Sequence, residues 1–200
     1  MARTTDLKAA VASNLSSFER RSSPLPQTPA AVALVLLSGG AATAVPMFQR
    51  PLNMNRHPGQ MALPGGRLHD GDSPEEGAIR ELHEELGLAT DAASVLGRLD
   101  DFDTVSGFTI TPVVIWSDAD ASALTPSSAE VKRLFVVTTD ELREAAAAAT
   151  PGPTPRFSLR FREVEVFAPT AAMLYQFSEV ALDGRPCRVA DFYQPPWTHR

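Results

Sequence analysis

The chain has 200 residues, 44% of them hydrophobic and 21% charged, and a formal net charge of −6 at pH 7. Those proportions are those of a soluble globular protein with a substantial core. The acidic balance, with no long basic face, argues against broad binding to nucleic acid or to an anionic membrane. Cys187 is the single cysteine, so no internal disulfide can form and a reducing, cytoplasmic location is expected. No signal-like apolar region opens the chain, and the apolar run Ala30 to Leu37 is too short to span a bilayer.

In chain order, Leu7, Val11, Leu15 and Phe18 recur at helical spacing and predict a helix from about Thr5 to Arg20. Ser22 to Pro29 reads as a proline-rich connector. A buried strand through Val32–Leu37 is expected to pair with one near Pro46–Arg50 across Gly39-Gly40. Then comes the most informative stretch. Ser73 with Glu76 forms a capping box, Pro74 suits the first helical position, and Gly87 suits a left-handed C-terminal residue. Between them Ala78, Ile79, Leu82 and Leu86 form an apolar stripe for docking.

Further strands are expected near Val95–Asp103, Thr109–Trp116 and Val131–Val137, with a loop around Ala119–Ser128. Thr139 or Asp140 can cap a helix running to about Ala149, which Pro151-Gly152-Pro153 breaks. Phe157, Leu159 and Phe161 alternate with polar residues as in a strand, and Val164 and Val166 change the parity, so a turn or bulge lies near Arg162-Glu163. Pro169 to Leu182 reads as a closing helix. The aromatic tail Asp191 to Trp197 could stack on a nucleobase or reach a partner subunit, but packing on its own domain is favoured. The expected division is an N-terminal helix and linker over 1–29, a main domain over 30–182 and a tail over 183–200.

The other face of the helix after Ser73 carries the chemistry. Glu81, Glu84 and Glu85 stand three and four residues apart, so their carboxylates can converge. Like charges at those spacings cost roughly 0.2–0.5 kcal/mol per pair, and acids near a helix C-terminus oppose its dipole. A compensating cation is implied, and Mg2+ or Mn2+ suits carboxylate and carbonyl oxygens. Arg80 lies one turn from Glu84 and can hold it. Arg50, Arg56, His57 and Arg67 surround this helix in sequence, and arginine forks onto phosphate oxygens. A solvated acidic face is the bland alternative, made unlikely by the adjoining Pro64-Gly65-Gly66 loop.

Gly66, Arg80, Glu81, Leu82, Glu84, Glu85, Gly87 and Leu88 resemble the Nudix box without insertion, with Asp72 where the general pattern has Glu. The resemblance implies an α/β/α sandwich with a mixed β-sheet, here extended at both ends, that hydrolyses nucleoside diphosphate derivatives with a divalent metal. It implies Glu81, Glu84, Glu85 and the Gly65 carbonyl as metal ligands, Arg80 as their orienting cation and Asp72 as an outer support. Glu130, an acid before an apolar strand, is the candidate base, with an ordinary surface acid as its equal alternative. A homodimer is allowed by the same analogy.

Arg50, His57, Gly59, Gln60 and Pro64-Gly65-Gly66 also resemble the added signature of the coenzyme A diphosphatase branch. There Arg50, Arg56, His57, Gln60 and Arg67 would bind substrate. Asn55 stands at the second Arg position with Arg56 displaced by one residue, and Leu63 replaces Phe. Leu99-Asp100-Asp101, Thr104 to Phe108, Thr111 to Val114 and Glu130-Val131 extend the likeness over about residues 30–140. The implied reaction splits coenzyme A or a close derivative into adenosine 3′,5′-bisphosphate and 4′-phosphopantetheine. The alternative is the same chemistry on ADP-ribose, a dinucleotide or a nucleoside triphosphate. A ligand-sensing domain that does not cut is disfavoured because all three box glutamates are present.

Overall fold

The computed structural model describes residues 2–54, 57–153 and 157–196, with side chains from residue 6 onward. Its spine is β1 (Thr28–Leu37), flanked by β2 (Ala44–Gln49), β3 (Met61–Ala62) and β4 (Gly65–Arg67). The strands β5 (Val95–Arg98), β6 (Phe102–Asp103), β7 (Phe108–Ser117) and β8 (Arg133–Thr138) complete a mixed sheet of eight. β1 and β7 run parallel through ten residue pairs, from Thr28↔Phe108 to Leu37↔Ser117. β4 lies antiparallel on the other edge of β1, with Val32 opposite Gly65 and Ala31 opposite Gly66. The expected β1–β2 hairpin is present, joined at Leu37↔Ala44.

Alternation along β1 divides the core. Ala31, Ala33, Val35 and Leu37 pack with Ala78, Leu82 and Leu86 of the helix α2 (Pro74–Leu86). Val32, Leu34 and Leu36 face the opposite layer. That layer is built from α1 (Ala2–Ser17), α3 (Thr139–Ala148) and α4 (Thr170–Gln176), the last continued by a π-helical turn over Phe177–Leu182. A short antiparallel pair, β9 (Ser158–Phe161) and β10 (Val164–Phe167), turns at Arg162-Glu163 as its parity change requires. The architecture is the expected α/β/α sandwich. No described helix is long and apolar enough to cross a membrane.

Several boundaries differ from expectation for local reasons. α1 ends at Ser17, because Arg20 is drawn off to donate to the Leu99 carbonyl at 2.9 Å. β1 begins inside the proline-rich connector, since the Thr28 amide reaches the Gly107 carbonyl at 3.0 Å. The strand expected over 95–103 breaks into β5 and β6, with a register shift between Val95 and Gly97. Thr138, not Thr139 or Asp140, caps α3, where its hydroxyl accepts from the Glu141 amide at 3.1 Å and Glu141 completes a capping box. The closing helix starts at Thr170 and widens into the π turn after Gln176. Trp197 lies outside the described residues, while Phe192 packs on its own domain, 4.5 Å from the ring of Phe157.

Helix α2 matches its sequence signals residue by residue. The Ser73 hydroxyl accepts from the Glu76 amide at 3.2 Å, and the Glu76 carboxylate accepts from the Ser73 amide at 2.8 Å. At the far end Gly87 adopts φ 68° and donates to the His83 carbonyl at 2.8 Å. A Cβ on Gly87 would lie 1.8 Å from the Thr125 hydroxyl oxygen. Gly87→Ala is therefore expected to cost about 1–3 kcal/mol in urea unfolding, from left-handed strain and that overlap. A loss below a few tenths would show that the loop bearing Thr125 yields freely.

Candidate active site

The end of α2 meets strand β4 at Glu85. The Glu85 side chain is buried, and its Oε2 accepts a 2.9 Å hydrogen bond from the Gly65 amide. Its Oε1 lies 3.9 Å from Nη1 of Arg50. Burial pushes the Glu85 carboxyl up to about 8; the Gly65 amide opposes this, Glu81 adds to it, Arg50 opposes it, and Glu130 adds a further push. Two more negative groups thus bear on a buried one.

Glu130 reaches this neighbourhood because its loop is sewn to the helix. The Thr125 amide donates to the Leu86 carbonyl and the Ser127 amide to the Glu85 carbonyl, each at 2.8 Å. The Glu130 and Val131 amides then return to the Ser127 carbonyl at 3.1 and 2.8 Å. The first two of these bonds use helix C-terminal carbonyls that lack partners within α2.

Arg80 organises the other acids. Nη1 donates to Glu81 Oε1 at 2.6 Å and stands 3.7 Å from Glu84, so its main partner is Glu81 and not the Glu84 that helical spacing suggests. Nη2 donates to the Arg67 carbonyl at 3.1 Å and lies 3.5 Å from Asp72, which places Asp72 behind the cluster. Gly66 passes so close to Glu81 that a Cβ would sit 2.5 Å from its Oε1. Glycine at this point allows the carboxylate to lie against β4.

Glu81, Glu84 and Glu85 share the helix face but do not close on one point, and the Glu84 side chain is turned largely to solvent. Among the described residues, no group of three acidic, histidine or cysteine side chains is arranged around an ion position. The chemistry of the donors still fits a hard divalent cation: the carboxylate oxygens of Glu81, Glu84 and Glu85 stand on one helix face beside the Gly65-Gly66 strand.

Beside this cluster lies a cavity of about 260 Å³. Arg50, His57, Gln60 and Arg67 line it together with Gly65 and Gly66, so four of the five residues expected to bind substrate share one space. Arg56 lies outside the described residues. The loop carrying them is folded back, with the Arg50 amide on the Gln60 carbonyl at 2.9 Å and Gln49 Nε2 on the Gly59 carbonyl at 3.1 Å. His57 holds φ 52°, a left-handed turn conformation. Arg50 Nε is buried without a hydrogen-bond partner among the described residues, a donor at the wall of a space that suits an anion.

The cavity's lining also contains residues that sequence reasoning did not select. Phe108 and Ile110 come from β7, Met61 from β3, Met173 from α4 and Gln194 from the tail. The tail's aromatic composition was the available signal, but nothing in its spacing pointed to the glutamine.

Residues 26–157 match the NUDIX domain family, more than half of the chain. The chain belongs to the Nudix family. The uncharacterized Nudix hydrolase NudL of Enterobacter sp. (strain 638) is 41% identical over 69 residues, covering 34% of this chain and 36% of that protein. NudL of Pectobacterium atrosepticum is 38% identical over 96 residues, 48% of this chain and 50% of that one. The chain thus spans from about a third to a half of the length of these curated relatives. Among solved structures, the MutT protein from Methanosarcina mazei Go1 aligns with a TM-score of 0.45 and 20% identity, over 64% of this chain and 85% of that one.

Proposed function

We propose that this Nudix chain hydrolyses the diphosphate bond of coenzyme A or a close derivative, using Mg2+ or Mn2+, to give adenosine 3′,5′-bisphosphate and 4′-phosphopantetheine. The observation that carries the reading is a shared border. Arg50, His57, Gln60 and Arg67 line one cavity with the Gly65-Gly66 strand, and the Gly65 amide is bonded to Glu85 of the acid helix. A polyanion held by the cations would thereby lie beside the carboxylates.

In this reading Glu81, Glu84, Glu85 and the Gly65 carbonyl would hold the metal, which would supply Lewis-acid neutralisation of the diphosphate charge. Arg80 keeps Glu81 in place, and Asp72 steadies Arg80 from behind. Glu130 accepts a proton from the attacking water as a new P–O bond forms and the bond to the bridging oxygen breaks. Arg50 and Arg67 bind and orient phosphate oxygens, and the apolar cavity wall keeps water from the rest of the ligand.

The altered arginine pattern, with Asn55 where the signature has Arg, favours keeping a second substrate class in view. A panel of coenzyme A, ADP-ribose, diadenosine polyphosphates and nucleoside triphosphates, each with Mg2+ and with Mn2+, decides between them. Turnover of coenzyme A at least tenfold above the others is the expected result. Brisk cleavage of ADP-ribose with coenzyme A untouched would end the coenzyme A reading and keep the diphosphatase one.

A further inference from the structure

We infer that Gln194, in the C-terminal tail, is a specificity-determining residue that reads the nucleobase of a ligand bound in the cavity. This inference rests on the proposed function for the phosphate end of the site and extends it to the other end.

The tail is held at three points before it reaches the cavity. Arg188 Nη1 spans both oxygens of Asp100 at 2.8 and 2.9 Å. Val189 is buried in the main core. Phe192 lies in an aromatic group, with ring centroids 4.5 Å from Phe157 and 5.8 Å from Tyr175. The chain therefore delivers Gln194 to the cavity from a fixed base.

The amide of Gln194 is itself oriented. Its Oε1 accepts from the Val105 amide at 3.0 Å, and its Nε2 donates to the Asp103 carbonyl at 2.8 Å. These two backbone groups settle which end of the amide is oxygen and which is nitrogen. A primary amide has two N–H bonds and two carbonyl lone pairs. One of each is used, which leaves one donor and one acceptor on a group that lines the cavity.

The surrounding wall suits a flat, weakly polar ring. Phe108 offers an aromatic surface, while Ile110, Met61 and Met173 supply apolar and polarizable contacts. Arg67 on β4 is separated from Ile110 on β7 by β1, since Ala30 pairs with Arg67 on one edge and with Ile110 on the other, so a phosphate and a base on one ribose can take opposite sides of β1. A nucleobase, which combines a π-face with donor and acceptor groups on its edge, uses every element of this wall. The amide chain of a pantetheine arm would use Gln194 but gain less from the ring of Phe108.

The test is calorimetric binding of adenosine 5′-monophosphate and, separately, of 4′-phosphopantetheine to the full chain and to Gln194→Ala. Loss of a directed hydrogen bond is expected to weaken adenosine 5′-monophosphate about tenfold. Phosphopantetheine affinity should stay unchanged, and the thermal midpoint should fall by a few degrees, because the Val105 amide and the Asp103 carbonyl lose their partner. With a hydrolysed substrate, KM should rise while kcat holds. Unchanged affinity for the nucleotide, equal weakening of both ligands, weakening of phosphopantetheine alone, or no binding of the nucleotide by the unaltered chain would each overturn the inference. If the nucleotide binds as expected while no diphosphate in the substrate panel is cut, the proposed function fails and the reading of Gln194 stands.

Discussion

Glu85→Gln is expected to lower diphosphate hydrolysis by at least about a hundredfold, on the scale of losing a group that stabilises charge in the transition state. The fold should survive, because the amide can still accept the 2.9 Å bond from Gly65 and is nearly the same size. The metal-free protein should in fact become more stable above neutral pH. In the folded chain the carboxyl is pushed from the usual 4.5 to about 8, chiefly by burial. The folded state then holds a proton between those values that the unfolded chain releases. The stability this provides is fully present below about pH 4.5 and is lost as pH rises through about 8. Thermal melts in a chelating buffer should show that decline in the parent chain and a flatter profile in the variant. Near-parental turnover by Glu85→Gln would remove Glu85 from the chemistry, and identical melting profiles would remove the uncompensated charge.

Asp100→Ala is expected to produce the largest loss of stability, about 3–5 kcal/mol, because it strips a buried charge from partners that cannot all rehydrate. Asp100 is 6% exposed and accepts from both sides of the fold. Arg188 approaches it from the tail, Gln176 Nε2 from α4 at 2.8 Å, and the Arg21 amide from the N-terminal linker at 2.7 Å. Arg188 also donates to the Glu19 carbonyl at 2.9 Å and lies 4.5 Å over the ring of Phe18. One carboxylate therefore ties both ends of the chain to the sheet. Urea unfolding gives the measurement, and a change below about 1 kcal/mol would show that the three partners find water or each other.

The two variants separate features that the sequence displayed unequally. Helix α2 was legible in full, from the Ser73–Glu76 capping box to left-handed Gly87 and the apolar stripe. Each of those signals acts within a few residues, so local chemistry suffices to read it. The continuous apolar run from Ala30 to Leu37 likewise announced a buried strand, and β1 is buried on both faces. The Asp100 network was not legible, because Arg188 stands 88 residues from its partner. Nor was the start of β1 at Thr28, which depends on an amide bond to distant Gly107.

By itself the sequence determined the acid helix, its caps and the cations expected around a phosphate; the glycine-rich segment before the helix, read as a loop, is the strand β4 in the structure. The sequence also determined the family, through spacing that survives without knowledge of the fold. Tertiary structure alone decided that Glu85 is buried against Gly65, that Arg80 favours Glu81 over Glu84, and that Glu130 is carried in by a loop bonded to the helix end. It alone brought Phe108, Met173 and Gln194 to the lining of one cavity. Spacing along a chain governs which residues share a face. Burial and charge compensation depend on what the rest of the chain packs against that face.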